Sequence, residues 1–256
     1  MIVSLTASLV FVACNSSDAT PRVARPATTP LAVPRAPLPV VQPPIVIDTA
    51  NTQIVEIWPL KVAPERQVDE TRRIVEHLQA ELTLQPGFRY AVLLASGDGA
   101  GLVLLCAWLD DGAADRGDLR LTDWLRIEAD TAVLRRRIGT ATTRVRVRRT
   151  AGARPALTTA SMLQFTRYVM KRGHSFTALA ELADSNLAMR VLEDTAASGG
   201  ATLAAADSGA LYMLLQARNA TALDPNLRAG GSLPFWAPFA DRDAQLLAVV
   251  AIIRPR

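Results

Sequence analysis

The chain repeats itself with a period of about 109 residues. The apolar run that starts at Gln53 is followed 109 positions later by a similar run starting at Met162, and the run from Leu102 is followed at the same offset by one from Leu211. Self-similarity at a fixed offset indicates two copies of one supersecondary unit. The sequence therefore divides into an N-terminal extension, residues 1–50, a first repeat, residues 51–155, and a second repeat, residues 156–256.

Each repeat carries the same order of predicted elements. A strand is followed by a helical segment, a two-stranded hairpin, a second helical region and a closing strand. This β-α-β-β-α-β order is the ferredoxin-like arrangement, with helices on one face of a four-stranded sheet. The other face of each sheet is apolar and needs cover. The sequence therefore predicts an α+β fold in which two fused ferredoxin-like repeats form an α+β barrel pseudo-dimer.

The first helix of each repeat is predicted from an apolar stripe and from its end signals. In the first repeat Pro64-Glu65 opens the helix, and His77 falls on its polar face, so we expect His77 at the surface. In the second repeat Ser175 is the expected N-cap. Glycines are expected to end these helices, at Gly87 and at Gly199-Gly200. The stripes consist of Val68, Thr71, Val75, Leu78 and Leu82 in the first helix and of Phe176, Leu179, Leu182 and Ala183 in the second.

The extension combines a short apolar run with a proline-rich segment. Residues 2–14 end in Ala13-Cys14, which resembles a bacterial lipoprotein signal, although no basic residue precedes the run. Residues 21–44 contain eight prolines, which favour an extended, disordered arm. Two interpretations stay open. We expect a cytoplasmic protein whose start was placed too far upstream, and the alternative is a lipoprotein anchored through an acylated Cys14.

The basic charge is confined to one segment. The net charge is +4 and the pI is about 9.6, but residues 131–154 alone contain eight arginines and no acid. Arg144, Arg146 and Arg148 alternate with valines, as in a strand with one wet face, and seven acidic residues between positions 110 and 130 can neutralise that face. Without interleaved aromatic residues, this pattern predicts no nucleic-acid binding. Two cysteines and two histidines also predict no metal site.

One set of motifs resembles a known family. Gln85-Pro86-Gly87-Phe88, followed by a strand, a turn and the run Leu104–Trp108, resembles the antibiotic biosynthesis monooxygenase superfamily, whose members form dimeric α+β barrels. The resemblance covers residues 53–149 well. It is weaker over residues 162–255, where the Pro-Gly-Phe element is missing and Ala217 or Arg218 replaces the tryptophan. Tandem fusions of this fold resemble oxygenases of aromatic polyketides, such as anthrone oxygenases and angucyclinone ring-opening oxygenases.

The haem-degrading branch of the superfamily fits less well. It shares the tryptophan, but it also uses an asparagine on the first strand and a histidine shortly after the tryptophan. Here Glu56 and Trp58 occupy the first strand, and no histidine lies between Trp108 and Arg149. This departure disfavours haem chemistry.

The resemblance implies an oxygenase acting on a polycyclic aromatic polyketide intermediate. Such an enzyme needs no metal and uses O2, either alone or with reduced flavin (FADH2 or FMNH2) supplied by a partner flavin reductase. A homodimer of the fused pseudo-dimer is a further expectation. Two alternatives stay open: a polyketide cyclase on the same fold, and a lipid-anchored, non-catalytic protein that binds a hydrophobic ligand.

Three residues of the second repeat are candidates for catalysis. His174, at the start of a helix, is the first choice for proton transfer. The alternative is a solvated residue without a catalytic role. Arg167 could stabilise an enolate or phenolate oxygen; the alternative is that it forms an interdomain salt bridge. Tyr168 would donate a hydrogen bond from a polar stripe on a strand expected to be buried.

Five residues are candidates for substrate binding, with core packing as the alternative for the aromatic ones. Glu56 is a further candidate for catalysis, as a buried base. The alternative is a carboxylate at the end of a strand, near solvent. Cys106 is expected to be a small core residue. The five candidates for substrate binding are Trp58, Trp108, Gln164, Gln216 and Trp236.

Overall fold

The computed structural model describes residues 42–51, 53–130, 134–136, 142–193, 196–205, 209–218 and 236–256. The predicted lipoprotein signal and most of the proline-rich segment lie outside these residues. So does most of the second helical region expected in the second repeat, residues 219–235.

Eleven strands and three α-helices make up the described part of the chain. The strands are β1 (Ile45–Val46), β2 (Ile54–Val62), β3 (Phe88–Ser96), β4 (Gly101–Trp108), β5 (Leu134–Arg136), β6 (Thr143–Gly152), β7 (Ala156–Leu157), β8 (Met162–Met170), β9 (Ala197–Ala205), β10 (Ala210–Ala217) and β11 (Ala240–Ile253). The helices are α1 (Gln67–Glu81), preceded by a 3-10 turn at Pro64–Arg66, α2 (Asp111–Asp130) and α3 (Phe176–Glu193).

Eight of the strands close into an antiparallel barrel. They follow the order β4-β3-β11-β8-β10-β9-β6-β2, and β2 pairs back with β4. Within the first half of the chain the order is β6-β2-β4-β3, and within the second half it is β11-β8-β10-β9. Each half thus places its fourth strand beside its first, as a ferredoxin-like sheet does. The predicted α+β barrel is confirmed.

Alternation along each strand separates two kinds of core. Inward-facing residues fill the barrel, and outward-facing residues pack beneath the helices. The inner cluster includes Val55, Ile57, Val92, Leu94, Leu105, Leu163, Phe165, Leu203, Tyr212, Leu214 and Leu247. The outer cluster of the first half includes Trp58, Leu60, Leu93, Leu104, Cys106 and Trp108. That of the second half includes Tyr168, Leu211, Met213 and Leu215.

Helix α1 forms where expected, but its buried stripe differs from the prediction. Val68 is 80% exposed, whereas Ile74, Leu78 and Leu82 are fully buried. His77 is not a plain surface residue, because its ring stacks on that of Trp124 in α2 at 4.3 Å. The periodicity of α1 does not reveal this contact, because α2 lies beside the polar face of α1.

The glycines near residue 199 do not end a helix. Helix α3 ends at Glu193, and Gly199 lies inside β9. A Cβ atom at Gly199 would lie 1.7 Å from the carbonyl oxygen of Ala153. The missing side chain therefore permits the close approach of the chain that leaves β6.

The core includes residues that precede position 51. Strand β1 pairs with β7, in the connection between the two halves. Ile45 and Ile47 are buried in the inner cluster, and Asp48 forms an ion pair with Arg154 at 2.6 Å. Part of the predicted extension therefore packs against the connection.

Arg144 and Arg146 of β6 are neutralised as expected, whereas Arg148 pairs with an acidic residue of α3 that the prediction did not include. Their outward-facing side chains meet acidic residues of the helices above, so this face of the strand carries little uncompensated charge. The pairs are Arg144 with Asp115, Arg146 with Asp111 and Arg148 with Asp184.

Candidate functional site

A buried carboxylate lies at the centre of the outer face of the first half. Strand pairing places Glu56 of β2 between Cys106 of β4 and Arg144 of β6. Helix α2 packs over β2 and β4. As a result Glu56 is 0% exposed, which is unusual for a carboxyl group and requires specific partners.

Both oxygens of Glu56 accept hydrogen bonds. The indole Nε1 of Trp108 donates to Oε2 at 2.9 Å, and Nε of Arg144 donates to Oε1 at 2.9 Å. Nη1 of Arg144 also donates to Asp115 at 2.6 Å. The network thus runs from a fully buried indole to an exposed carboxylate of α2. It fixes the orientation of Glu56.

Burial raises the pKa of Glu56 from 4.5 to about 7, against the opposing effect of the hydrogen bond and charge of Arg144. Both protonation states of Glu56 are therefore populated near neutral pH. Burial and the nearby charge of Glu56 also raise the pKa of the Cys106 thiol. A carboxyl group whose pKa lies near 7 can accept or donate a proton in catalysis, and such perturbed groups concentrate at functional sites.

Trp108 is held tightly on the same face. Its ring meets Phe88 edge-on, with 5.5 Å between the centroids. A Cβ atom at Gly117 of α2 would lie 2.1 Å from the indole carbons. Glycine is therefore required where α2 crosses the indole. Trp58, two residues after Glu56, is also buried on this face.

The second half places two predicted residues together. The rings of Tyr168 and Trp236 lie 6.5 Å apart, and the guanidinium of Arg242 lies 5.7 Å from the Trp236 ring centroid. Burial raises the pKa of Tyr168 to about 12, although Arg242 and Arg190 act in the opposite direction. The phenol therefore stays protonated and can act only as a neutral hydrogen-bonding group at neutral pH.

Other predicted residues are kept apart by the alternation of β8. Arg167 faces the barrel side, opposite Tyr212 of β10 and Asp243 of β11, while Tyr168 faces the helices. Because they face opposite sides, Arg167 and Tyr168 cannot act on one ligand from the same side of the sheet. Among the described residues, Nε of Arg167 is buried and has no hydrogen-bond partner.

Gln164 and Gln216 are also separated. Gln164 lies on the helix-facing side of β8, whereas the amide of Gln216 holds the connection between the halves. Its Oε1 accepts from the backbone nitrogen of Ala156 at 2.9 Å, and its Nε2 donates to the carbonyl oxygen of Ala156 at 3.0 Å. This pairing gives Gln216 a structural use that the sequence pattern did not show.

His174 lies at the exposed start of α3. Its ring meets Phe239 edge-on at 5.5 Å, at the border of the outer cluster of the second half. The expected cap is present, since Oγ of Ser175 accepts from the backbone nitrogen of Ala178 at 3.4 Å. The proton-transfer role of His174 stays a prediction.

The partners of Glu56 are not evident from the sequence. They come from positions 52 and 88 residues away along the chain. The available signals were an acidic residue inside an apolar strand and an arginine alternating with valines.

Within the described residues, no group of three His, Cys, Asp or Glu side chains is placed to hold a metal ion. None of the described helices is long and apolar enough to cross a membrane.

The fold has relatives among solved structures. An anthrone oxidase-like protein aligns with a TM-score of 0.60 and 11% identity, over 82% of this chain and 96% of its own. A protein assigned as a monooxygenase, from Fusobacterium nucleatum subsp. nucleatum, aligns with a TM-score of 0.54 and 8% identity, over 79% and 94%. The fold is the one that the antibiotic biosynthesis monooxygenase resemblance predicts. No protein-family profile and no curated protein matches the sequence. At these identities the relatives show the fold alone.

Proposed function

We propose that the chain is a monooxygenase-type enzyme that oxidises a polycyclic aromatic polyketide intermediate, with Glu56 as the base. The observation that carries the proposal is the fully buried carboxyl group of Glu56, which accepts hydrogen bonds from Trp108 and Arg144 and whose pKa burial raises to about 7. The similarity of the barrel to an anthrone oxidase-like protein supports the reaction class.

The proposed chemistry uses the substrate as the reductant. Glu56 takes a proton from the activated methylene of an anthrone-type ring, and the resulting anion gives its electrons to O2. Overall, a CH2 group and O2 become a C=O group and water, so atoms and electrons balance without a further reductant. Arg144 supplies a positive charge beside the site at which negative charge develops, and the indole N–H of Trp108 holds Glu56 in place.

Because Glu56 is fully buried, the substrate reaches it only when α2 separates from the sheet. The contact between Gly117 and the Trp108 ring lies at this boundary. In this proposal, closure of α2 over the ring system excludes water from the anion.

The same proposal assigns the reaction to the first of two fused repeats, residues 51–155 and residues 156–256. In the first, Glu56 pairs with Cys106 and Arg144, whereas Gln164 has the corresponding pairings with Leu215 and Leu246. An amide and an aliphatic side chain thus replace the carboxyl group and the arginine. The second half of the pseudo-dimer therefore lacks a base at this position.

Oxygen uptake tests the proposal. Purified protein is given anthrone and angucyclinone substrates, with and without reduced flavin and a flavin reductase. We expect uptake in at least one arm, with kcat/KM rising with pH through about 7 as Glu56 ionises. Glu56→Gln should lower kcat by about 100-fold or more. Glu76→Gln, a change at an exposed position of α1, is the matched control.

The assay separates the alternatives. The absence of uptake in every arm would reject the oxygenase proposal, and full activity of Glu56→Gln would reject Glu56 as its base. Product formation without uptake would instead indicate the cyclase. Substrate binding without turnover would indicate the ligand-binding protein. In the same assay, parental activity of His174→Ala would remove that residue from the proton-transfer step.

A further inference from the structure

A cleft of about 880 Å3 opens at the β3–β4 hairpin, away from Glu56. It exists because β11 is longer than its neighbour: β3 pairs with β11 only from Leu247 to Ile253, while β11 begins at Ala240. The edge of β11 before Leu247 therefore faces the hairpin turn without a strand between them. The volume lies within the range of about 300–1,000 Å3 that is typical of small-molecule sites.

The cleft is lined by both apolar and charged residues. Leu102 and Val103 of β4, Met162 of β8 and Leu246 of β11 contribute apolar surface. Lys61, Asp98, Arg242 and Asp243 contribute the charged groups. A ligand that combines an apolar part with a charged group matches this lining.

The two carboxylates of the cleft are already engaged. Asp98 accepts hydrogen bonds from Oγ of Ser96 at 2.5 Å and from the backbone nitrogen of Ala100 at 3.0 Å, and so it shapes the hairpin turn. Asp243 accepts from Nε2 of Gln245 at 3.3 Å. Their capacity to accept hydrogen bonds from a ligand is therefore reduced.

The two cations differ from the carboxylates in this respect. Within the part of the chain that the structure describes, neither Lys61 nor Arg242 forms a hydrogen bond or an ion pair. Nε of Arg242 is buried without a partner. The guanidinium is held at 5.7 Å from the Trp236 ring centroid, which positions it without using its donors. The unused donors of the cleft are thus cationic.

We propose that this cleft is a second ligand site, which binds an apolar or aromatic molecule bearing one carboxylate or phosphate group. Arg242, on the helix-facing side of β11, is its main anion-binding residue, and Lys61, on the barrel side of β2, contributes a second positive charge from the opposite face of the sheet. Cationic donors select an anionic group because hydrogen bonds to charged groups are stronger than neutral ones. The proposal does not depend on the oxygenase proposal, since none of the residues around Glu56 contributes to the cleft.

Calorimetric titration with matched probes tests the site. The probes are naphthalene-2-carboxylate, its neutral carboxamide, 2-naphthyl phosphate and inorganic phosphate, each added to the full chain. We expect the naphthoate to bind at least about tenfold more tightly than the carboxamide. The naphthyl phosphate distinguishes a preference for phosphate from one for carboxylate. Inorganic phosphate measures the contribution of the anion alone.

Four variants locate the binding. Arg242→Gln and Lys61→Gln should each reduce the preference for the anion, with the larger loss at Arg242, and Arg242→Lys should retain part of it. The matched control is Arg89→Gln, an exposed arginine near the opposite end of β3. Thermal unfolding of each variant checks that the fold is kept, and the exposed Lys61 gives a readout that does not depend on the packing of Trp236.

Several outcomes would overturn the proposal. These are equal binding of naphthoate and carboxamide, a preference that survives in both Arg242→Gln and Lys61→Gln, or an equal loss in Arg89→Gln. Binding of inorganic phosphate as tight as that of the naphthyl probes would show an anion site without the apolar part. Glu56→Gln should bind the probes as the parent does. A negative result in the titration therefore does not affect the oxygen-uptake test of the proposed function.

Discussion

Glu56 is expected to make the protein less stable as the pH rises towards neutrality. The folded state raises the pKa of this carboxyl group from 4.5 to about 7, so it binds the proton more tightly than the unfolded chain does. Stability from this group is therefore complete below pH 4.5, declines between pH 4.5 and 7, and is constant above that range. Each pKa unit corresponds to about 1.4 kcal/mol, which gives a loss of about 3 kcal/mol.

The Glu56→Gln variant isolates this effect because glutamine has the same shape and does not titrate. Urea unfolding of parent and variant at pH 4.5, 6, 7 and 8 gives the difference in unfolding free energy at each pH. We expect that difference to shift by about 3 kcal/mol in favour of the variant between pH 4.5 and 8. Titrations common to both proteins cancel in the comparison. Glu76→Gln serves as the exposed control and should show no comparable shift.

A constant difference between parent and Glu56→Gln across this range would refute the reasoning. It would mean that Glu56 has the same pKa in the folded and unfolded states. The proposed role as a base poised near neutral pH would then lose its physical basis, whatever the activity of the variant.

Two further changes test the packing around the site and the barrel. Gly117→Ala places a methyl group against the Trp108 ring, where a Cβ atom would lie 2.1 Å from the indole; we expect a loss of about 1–3 kcal/mol in unfolding free energy and altered tryptophan fluorescence. An unchanged stability would show that α2 does not rest on the indole. Ile47→Ala should cost about 2–5 kcal/mol, because this side chain is 4% exposed and belongs to the inner cluster. A loss below about 0.5 kcal/mol, typical of surface changes, would place Ile47 outside the core.

Local patterns were sufficient for the elements themselves. The run from Phe88, the Gly-Asp-Gly turn and the run from Leu102 predicted a hairpin, and the structure has strands Phe88–Ser96 and Gly101–Trp108. Proline and glutamate at positions 64 and 65 predicted the start of the first helix. These signals depend on residues that are close in sequence, where the backbone preferences of proline and glycine and the spacing of apolar side chains act directly.

Local patterns were not sufficient where several elements compete for the same residue. Val68 matched the apolar stripe of α1, but the barrel surface contacts the side of the helix that carries Ile74. Gly199 and Gly200 resembled a helix stop, but the approach of Ala153 explains the glycine at 199. In both cases the deciding contact comes from another part of the chain, which a local pattern cannot register.

The candidate site shows the same division. The sequence alone is enough to place Glu56 and Trp58 on one side of a strand, and Arg167 and Tyr168 on opposite sides, because side chains alternate in any extended strand. Which side faces the barrel and which faces the helices depends on how the strands and helices pack. Trp108 and Arg144 meet Glu56 for the same reason, since strand pairing across the closed barrel joins positions far apart in the chain. Burial beneath α2 then raises the pKa of Glu56, and no linear pattern encodes the low-dielectric surroundings that cause this change.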